Sequence, residues 1–292
     1  MKPKRFTKKN CAPMVKNKTI NKKSCYTDSI MLKLKKEYNK QNPQDKITFT
    51  KPNSIWNAFK KRMKGCENEG CWLKKLNNSN ISQKVNEISF SPKHPPSWKK
   101  NPNEWLTNID IENVLKQYEE AHSNFEFIGT SFIDFNDKIR NKCVDDEVCA
   151  LNLQEQINKN KNKIGLIFNL DKHYEDGSHW VSMFIDLKHK YIFYFDSTGE
   201  KIPKEFKHLA NEVTKQGKEL DPPITFKFHE NHPFEHQYED TECGLYSLFF
   251  IITCLEEKIN NKKVKPSSIF NLFKKKRISD KQAQTLRNKY FN

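Results

Sequence analysis

No stretch of this chain is apolar for long enough to cross a bilayer. The longest apolar run, Leu245 to Leu255, falls well short of the roughly 20 residues that a spanning helix needs. The N-terminus is basic but carries no apolar h-region, so no secretory signal peptide is expected. Cysteine is sparse: eight residues in 292, at Cys11, Cys25, Cys66, Cys71, Cys143, Cys149, Cys243 and Cys254. They follow no secreted disulfide framework, which predicts free thiols in a reducing intracellular compartment. Internal repeats are absent, and no recognised DNA-reading module occurs. Acidic residues are scarce in the first third. Residues 1–100 hold 25 Lys and Arg against 6 Asp and Glu, whereas the remainder holds 27 against 30. The formal charge of +16 therefore comes entirely from the first third, which argues for two units with different tasks. An AT-rich genome would also raise the content of Lys and Asn.

What is present suffices for a real core, with 35% hydrophobic and 12% aromatic residues. Residues 1–24 read as a flexible Lys/Asn tail. Ile30, Leu34 and Tyr38 lie at helical spacing. A second helix is expected over 54–63, with Ser54 as its cap and Ile55, Trp56, Phe59 and Met63 apolar. Cys66 and Cys71 follow, then Asn/Ser-rich sequence to about residue 90. Pro92, Pro95, Pro96 and Pro102 mark a linker. The expected organisation is a basic, mainly helical arm at 1–98 and a core domain at 99–292.

In the core, Thr107 or Asn108 caps a helix carrying Ile111, Val114, Leu115 and Tyr118. A strand-like segment at 125–135 and a helix at 145–157 come next. Strands follow at 164–170, 179–187 and 191–195, the last two joined by the short hairpin Lys188-His189-Lys190. Pro203 opens a helix to about Gln216, and a further strand covers 224–228. The run after Gly244 reads as a buried helix to about Lys258, and Ser279 caps a last helix through Tyr290. The class is α+β, a central mixed β-sheet flanked by helices.

One constellation carries chemistry. Cys243 falls at the N-terminus of the buried helix, where free backbone N–H groups and the helix dipole favour a thiolate. Gln237, six residues upstream, folds back to offer an amide donor. His179 starts one strand of the hairpin and Asp196 ends the other, so antiparallel pairing makes them neighbours at one sheet edge. Asp196 then fixes the imidazole through one ring nitrogen, and the other faces Cys243. Gln237 and the Cys243 N–H form an oxyanion hole. Each residue also has an ordinary alternative. Cys243 taken alone reads as a buried thiol, His179 as a strand-end histidine, Asp196 as a turn residue in Asp-Ser-Thr-Gly, and Trp180 as core.

The order His, Asp, Cys with Gln upstream resembles the adenovirus-protease and SUMO-deconjugating clan of cysteine proteases. The residues that carry the likeness are His179-Trp180, Asp196 and Gln237 to Cys243-Gly244. Stretches 107–135, 164–199, 235–254 and 277–291 are similar to the polyprotein-processing members of that clan in large DNA viruses, and Gly65-Cys66 to Cys71 is more weakly so. One such member has Asn where Asp196 stands. The resemblance implies a cysteine endopeptidase that cleaves after Gly-Gly in viral structural polyproteins during core maturation, in the host cytoplasm and the virion core. It implies that Trp180, beside the histidine, helps to shape a channel too narrow for a Cβ. It also implies an arm domain that assists the core.

Other readings stay beside this one. A protease removing ubiquitin-like modifiers such as SUMO would need the same residues. A catalytically inactive basic virion or nucleic-acid-binding protein would use the arm, whose charge suits non-specific nucleic acid or another acidic surface. No cofactor is expected. His229, His232 and His236 with Cys243 have loop-like spacing interrupted by Pro233, and Cys25, Cys66 and Cys71 with Cys11 or His94 are irregularly spaced. Neither set is expected to hold zinc.

Overall fold

Capping residues and apolar spacing decide where the helices of the first third begin. The computed structural model describes residues 6–76 and 78–292. The chain forms two compact units, one of residues up to His94 together with Asn288–Asn292, the other of Pro95–Arg287. The expected boundary at residue 98 thus falls at His94, and the last five residues go with the first unit rather than with the core.

In the first unit, α1 (Asp28–Gln41) is capped by the Thr27 side chain, which accepts from the Ile30 N–H. Helix α2 (Pro52–Arg62) begins at Pro52 rather than at Ser54, because proline's fixed φ and missing N–H suit the first helical position. Two further helices, α3 (Glu69–Lys75) and α4 (Ser79–Ser89), occupy sequence that reads as irregular. Its asparagines are caps: the side chains of Asn68 and Asn78 accept from the N–H groups of Cys71 and Ile81. Tyr26, Trp56, Phe59, Trp72 and Phe90 form the core of this unit.

Residues 6–24 are not a loose tail, and residues 1–5 of that expected tail lie outside the described residues. Val15 and Cys25 are buried, Cys11 pairs by backbone with Phe90, and the carboxylate of buried Glu69 accepts from the Cys25 N–H at 2.8 Å and the Trp56 indole at 2.6 Å. The thiol reading needs correction as well. Cys11–Cys25, Cys66–Cys71 and Cys143–Cys149 are disulfides, leaving Cys243 and Cys254 free. Separations of 14, 5 and 6 residues let local loops bring each pair together without any long-range framework. Asn292 fastens the end of the unit: its N–H donates to the Pro92 carbonyl at 2.8 Å, and its carbonyl accepts from the His94 N–H at 3.0 Å.

The second unit is built on a five-stranded mixed sheet. Its strands are β1 (Phe125–Phe132), β2 (Lys163–Asn169), β3 (Trp180–Asp186), β4 (Tyr191–Phe195) and β5 (Lys227–Glu230), neighbours in that order. The outer pairs β1/β2 and β4/β5 are parallel, and β2, β3 and β4 form an antiparallel meander. All residues of β2, β3 and β4 are buried, as continuous apolar runs predict for strands covered on both faces. One face packs on α6 (Lys204–Glu219), where the rings of Phe168 and Phe206 lie 4.3 Å apart. The other packs on α7 (Cys243–Glu256), whose Phe250 meets Phe195 at 4.9 Å and Phe193 at 5.0 Å. Helix α7 is buried nearly all round, enclosed by the sheet, by α5 (Asn108–Ala121) and by α8 (Pro266–Lys275). Helix α5 starts at a capping box of Thr107 and Asp110.

The architecture is the α+β class with a central mixed sheet, as predicted, and the differences are local. The expected helix over 145–157 is two short turns, Asp146–Cys149 and Leu153–Asn158, the second restarted by the cap Asn152. The expected strand at 224–228 lies at 227–230 instead. The last expected helix breaks at Leu286 into Asp280–Thr285 and Arg287–Tyr290.

Candidate active site

The β3/β4 register places the first two members of the constellation. Ser182 pairs with Phe195, so His179, three residues before one, and Asp196, one residue after the other, leave the sheet at the same edge. His179 Nε2 donates to Asp196 Oδ1 at 2.7 Å. That bond leaves Nδ1 as the ring atom for a third partner. Burial disfavours charge on His179. Hydrogen bonds and charge from Asp196 and from Cys243 outweigh it and raise the imidazole from 6.5 to about 10. Cys243, 2% exposed, is the first residue of α7, so its sulfur lies where the helix leaves its N–H groups unpaired.

The structure also shows how Asp196 is held. The Thr198 N–H and hydroxyl donate to Asp196 Oδ1 at 2.9 and 2.8 Å. The Asp196 N–H donates to Asn231 Oδ1 at 2.9 Å, and Asn231 Nδ2 donates back to the Asp196 carbonyl at 2.6 Å. Asn231 is 1% exposed and escaped the sequence reading. The turn after Asp196 closes through Gly199, where φ is +78° and a Cβ would meet the Phe234 and Glu235 backbone at 2.9 Å. Only glycine fits there.

Gln237 joins the same network. Its Oε1 accepts from the Ser197 hydroxyl at 2.7 Å, and its N–H donates to the Ser197 carbonyl at 2.9 Å. This fixes the amide so that Nε2 faces the loop leading to Cys243, where it donates to the Glu239 carbonyl. The –NH2 group carries a second hydrogen for another acceptor. Residues 196–198 therefore connect His179 to Gln237, and His179 connects to Cys243. All four predicted residues belong to one assembly.

Trp180 is 8% exposed, and its Nε1 donates to the Leu106 carbonyl at 2.9 Å. The Leu106 side chain lies against the start of α7, where a Cβ on Gly244 would come within 3.0 Å of the Leu106 Cβ. Gly244 thus lets the segment before α5 lock both Trp180 and the N-terminus of the cysteine helix. The buried carboxylate of Glu242 faces the buried guanidinium of Arg287 at 3.8 Å, and the guanidinium lies 4.6 Å from the Trp98 ring centroid. Burial lowers the Arg287 pKa, opposed by Glu242, Asp110, Glu104 and Cys243. No sequence spacing pointed to Arg287. Tyr238, next to Gln237, is 64% exposed, and the Arg277 guanidinium lies 3.6 Å from its ring centroid.

The three histidines weighed as zinc ligands, of which His229 lies in β5, have separate partners. His236 accepts from the Ile278 N–H at 3.1 Å through Nδ1, which leaves Nε2 to donate to the Phe273 carbonyl at 2.8 Å. His232 Nδ1 pairs with the Gly199 carbonyl, and His229 stacks on Phe270 at 4.1 Å. Among the described residues, Asp186, His189 and Glu257 do approach one another as possible ligands. The Lys163 ammonium already lies among them, 2.6 Å from Glu257.

A helix-borne cysteine, a strand-end histidine and an orienting carboxylate on this sheet define a class of cysteine protease site. Residues 130–292 match the family model described as the Ulp1 protease family, C-terminal catalytic domain, and the chain belongs to that family. A thiol protease of Acanthamoeba polyphaga mimivirus is 33% identical over 159 residues, covering 52% of this chain and 48% of the relative. The chain thus spans about half the length of that relative. A SUMO-1 cysteine protease of African swine fever virus is 25% identical over 210 residues, covering 66% of this chain and 74% of the relative. The crystal structure of the African swine fever virus protease aligns with a TM-score of 0.66 over 97% of this chain and 95% of that one, at 21% identity. That likeness establishes a shared fold.

Proposed function

We propose that this chain is a cysteine endopeptidase that cleaves after Gly-Gly in viral structural polyproteins. The observation that carries the reading is the 2.7 Å bond from His179 to Asp196 with Cys243 as the further partner of the same imidazole. The Cys243 thiolate attacks the scissile carbonyl, and the oxyanion takes hydrogen bonds from the Cys243 N–H and the Gln237 amide. The His179 imidazolium gives its Nδ1 proton to the leaving amine, which departs and leaves a thioester. His179, now neutral, takes a proton from water as the water attacks the thioester carbonyl. Collapse releases the carboxylic acid and restores the thiolate–imidazolium pair. Asp196 keeps Nε2 protonated throughout and supports the positive ring. Trp180, fixed by Leu106, walls the approach to the scissile bond and leaves no room for side chains beyond glycine.

The resemblance to the polyprotein-processing members of the clan in large DNA viruses is the ground for a polyprotein substrate and implies action in the host cytoplasm and virion core. The description of the African swine fever virus relative as a SUMO-1 cysteine protease supports the second reading, a protease that removes SUMO-like modifiers. The intact set of Cys243, His179, Asp196 and Gln237 disfavours an inactive basic virion protein. The charge of the first unit supports an accessory contact with nucleic acid or another acidic surface.

The deciding experiment incubates the full chain with peptides containing Gly-Gly-Xaa and with SUMO and ubiquitin fusions, beside a Cys243→Ala control. Cleavage after Gly-Gly in peptides, lost in the control, is expected. Cleavage restricted to SUMO or ubiquitin fusions selects the second reading. No Cys243-dependent cleavage of any substrate rejects both.

A further inference from the structure

The first unit contains a pocket that the proposed hydrolysis does not use. It encloses about 520 Å³ between the segment around Lys9, helices α3 and α4, and the stretch after α4. Three lysines from separate parts of the chain line it: Lys9, Lys74 and Lys93. Gln83 and Asn86 supply amides, Leu73 supplies an apolar wall, and no Asp or Glu is among the described lining residues. The Lys9 stem lies across α3 because position 70 is glycine, with the Lys9 Cε only 3.0 Å from where a Cβ would be. Its ammonium sits 5.3 Å from the Phe90 ring centroid. Burial, then the positive charges of Lys93 and Lys74, hold the Lys9 ammonium below the ordinary lysine range. Among the described residues none of the three ammonium groups has a carboxylate partner.

Three cations around one cavity repel one another, and packing alone gives no reason to gather them. A bound anion removes the repulsion and supplies acceptors for each ammonium. We propose that this pocket binds a phosphate-bearing ligand. A phosphate monoester carries up to two negative charges and three acceptor oxygens, enough to meet three lysines, where a carboxylate offers one charge and two oxygens. The volume lies within the range of small-ligand sites, so it accommodates the organic group that carries the phosphate, with Leu73 and the lysine stems against its apolar parts and Gln83 and Asn86 against its polar edges. Two sources supply phosphate here: a free phosphorylated small molecule, through one monoester or diphosphate group, and the backbone of a single-stranded nucleic acid, through successive phosphodiesters of one charge each.

The test uses the full chain at low salt. ATP and inorganic pyrophosphate are titrated by calorimetry, and a fluorescein-labelled oligothymidylate by polarisation. At least one probe is expected to bind, more weakly as salt rises. Lys74 and Lys93 are exposed, so the double variant Lys74→Glu, Lys93→Glu retains the fold. It is expected to lose about tenfold per lysine, or roughly a hundredfold in all. The neutral pair Lys74→Gln, Lys93→Gln falls between, and cleavage of a Gly-Gly peptide is unchanged in both. Binding of ATP or pyrophosphate alone assigns a free phosphorylated compound, and binding of the oligonucleotide alone assigns a nucleic-acid backbone. The proposal is overturned if no probe binds more tightly than about 1 mM, or if the Glu double variant binds as well as the unmodified chain.

Discussion

Replacing Asn231 by alanine tests how the carboxylate is positioned without touching any reacting group. The Asn231 side chain makes three hydrogen bonds: one from the Asp196 N–H, one to the Asp196 carbonyl and one to the Phe234 carbonyl at 2.9 Å. Alanine removes all three and orphans the Asp196 N–H in a place where Asp196 is 1% exposed, while the Asp196 carbonyl keeps the Gly199 N–H at 3.0 Å. An orphaned buried group costs about 1–3 kcal/mol, so the Asp196 N–H predicts a loss of that size. Urea denaturation of the full chain measures this as a fall in midpoint at constant slope. The Asp196 carboxylate also loses its anchor, and a displacement near 1 Å at a catalytic group costs about 10²-fold in rate. A merely structural asparagine would lower stability and nothing more. A positioning asparagine also loosens the His179–Asp196 bond, which lowers the pKa of the imidazole. The alkaline limb of kcat/KM against pH should therefore move to lower pH in Asn231→Ala. An unmoved alkaline limb, or a stability loss below about 1 kcal/mol, would refute the reasoning.

Cys243→Ala should abolish turnover with the fold intact. Under non-reducing conditions iodoacetamide should label Cys243 and spare Cys254, the other free thiol, which is fully buried and whose pKa burial pushes up; peptide mass mapping decides, and faster labelling of Cys254 contradicts the assignment. Gln237→Ala should lower kcat by about 10²–10³-fold, with Ser197→Ala giving a smaller loss because it frees the amide without removing it. Asp196→Asn should be milder than Asp196→Ala, since an amide oxygen still accepts from His179 Nε2; equal losses in kcat/KM would show that charge rather than orientation matters. His179, raised from 6.5 to about 10, contributes stability that is complete below about pH 6.5 and lost as pH rises through 10, so unfolding free energy should fall across that window in the unmodified chain and less so in His179→Gln.

The site was legible because its logic is local to strand ends and a helix start. The hairpin at Lys188-His189-Lys190 fixes the register, and register places His179 beside Asp196. Likewise the continuous apolar run after Gly244 could only be a buried helix. What escaped depends on contacts distant in sequence or on chemistry that composition hides. Asn231 reaches Asp196 across 35 residues, and Arg287 meets Glu242 across 45. Helices α3 and α4 were obscured because Asn and Ser read as loop formers, when two of the asparagines are caps. The three disulfides were missed because pairs 5 to 14 residues apart resemble no framework until the loops close.

The first unit is made of two stretches of chain, and Asn288–Asn292 is its closing piece. During synthesis its first stretch leaves the ribosome early and then waits for the roughly 190 residues of the second unit. At 5–20 residues per second that wait lasts about ten to forty seconds. Until it ends, the backbone groups of Pro92 and His94 and the polar atoms of Asn10 lack the Asn292 partners they have in the finished fold. The second unit, continuous from Pro95 to Arg287, is complete in sequence before the first. The first unit thus receives its last partners after the second is complete in sequence, and a chain that stops before residue 288 carries all four residues of the protease constellation on a molecule that lacks the Asn292 hydrogen bonds of its first unit.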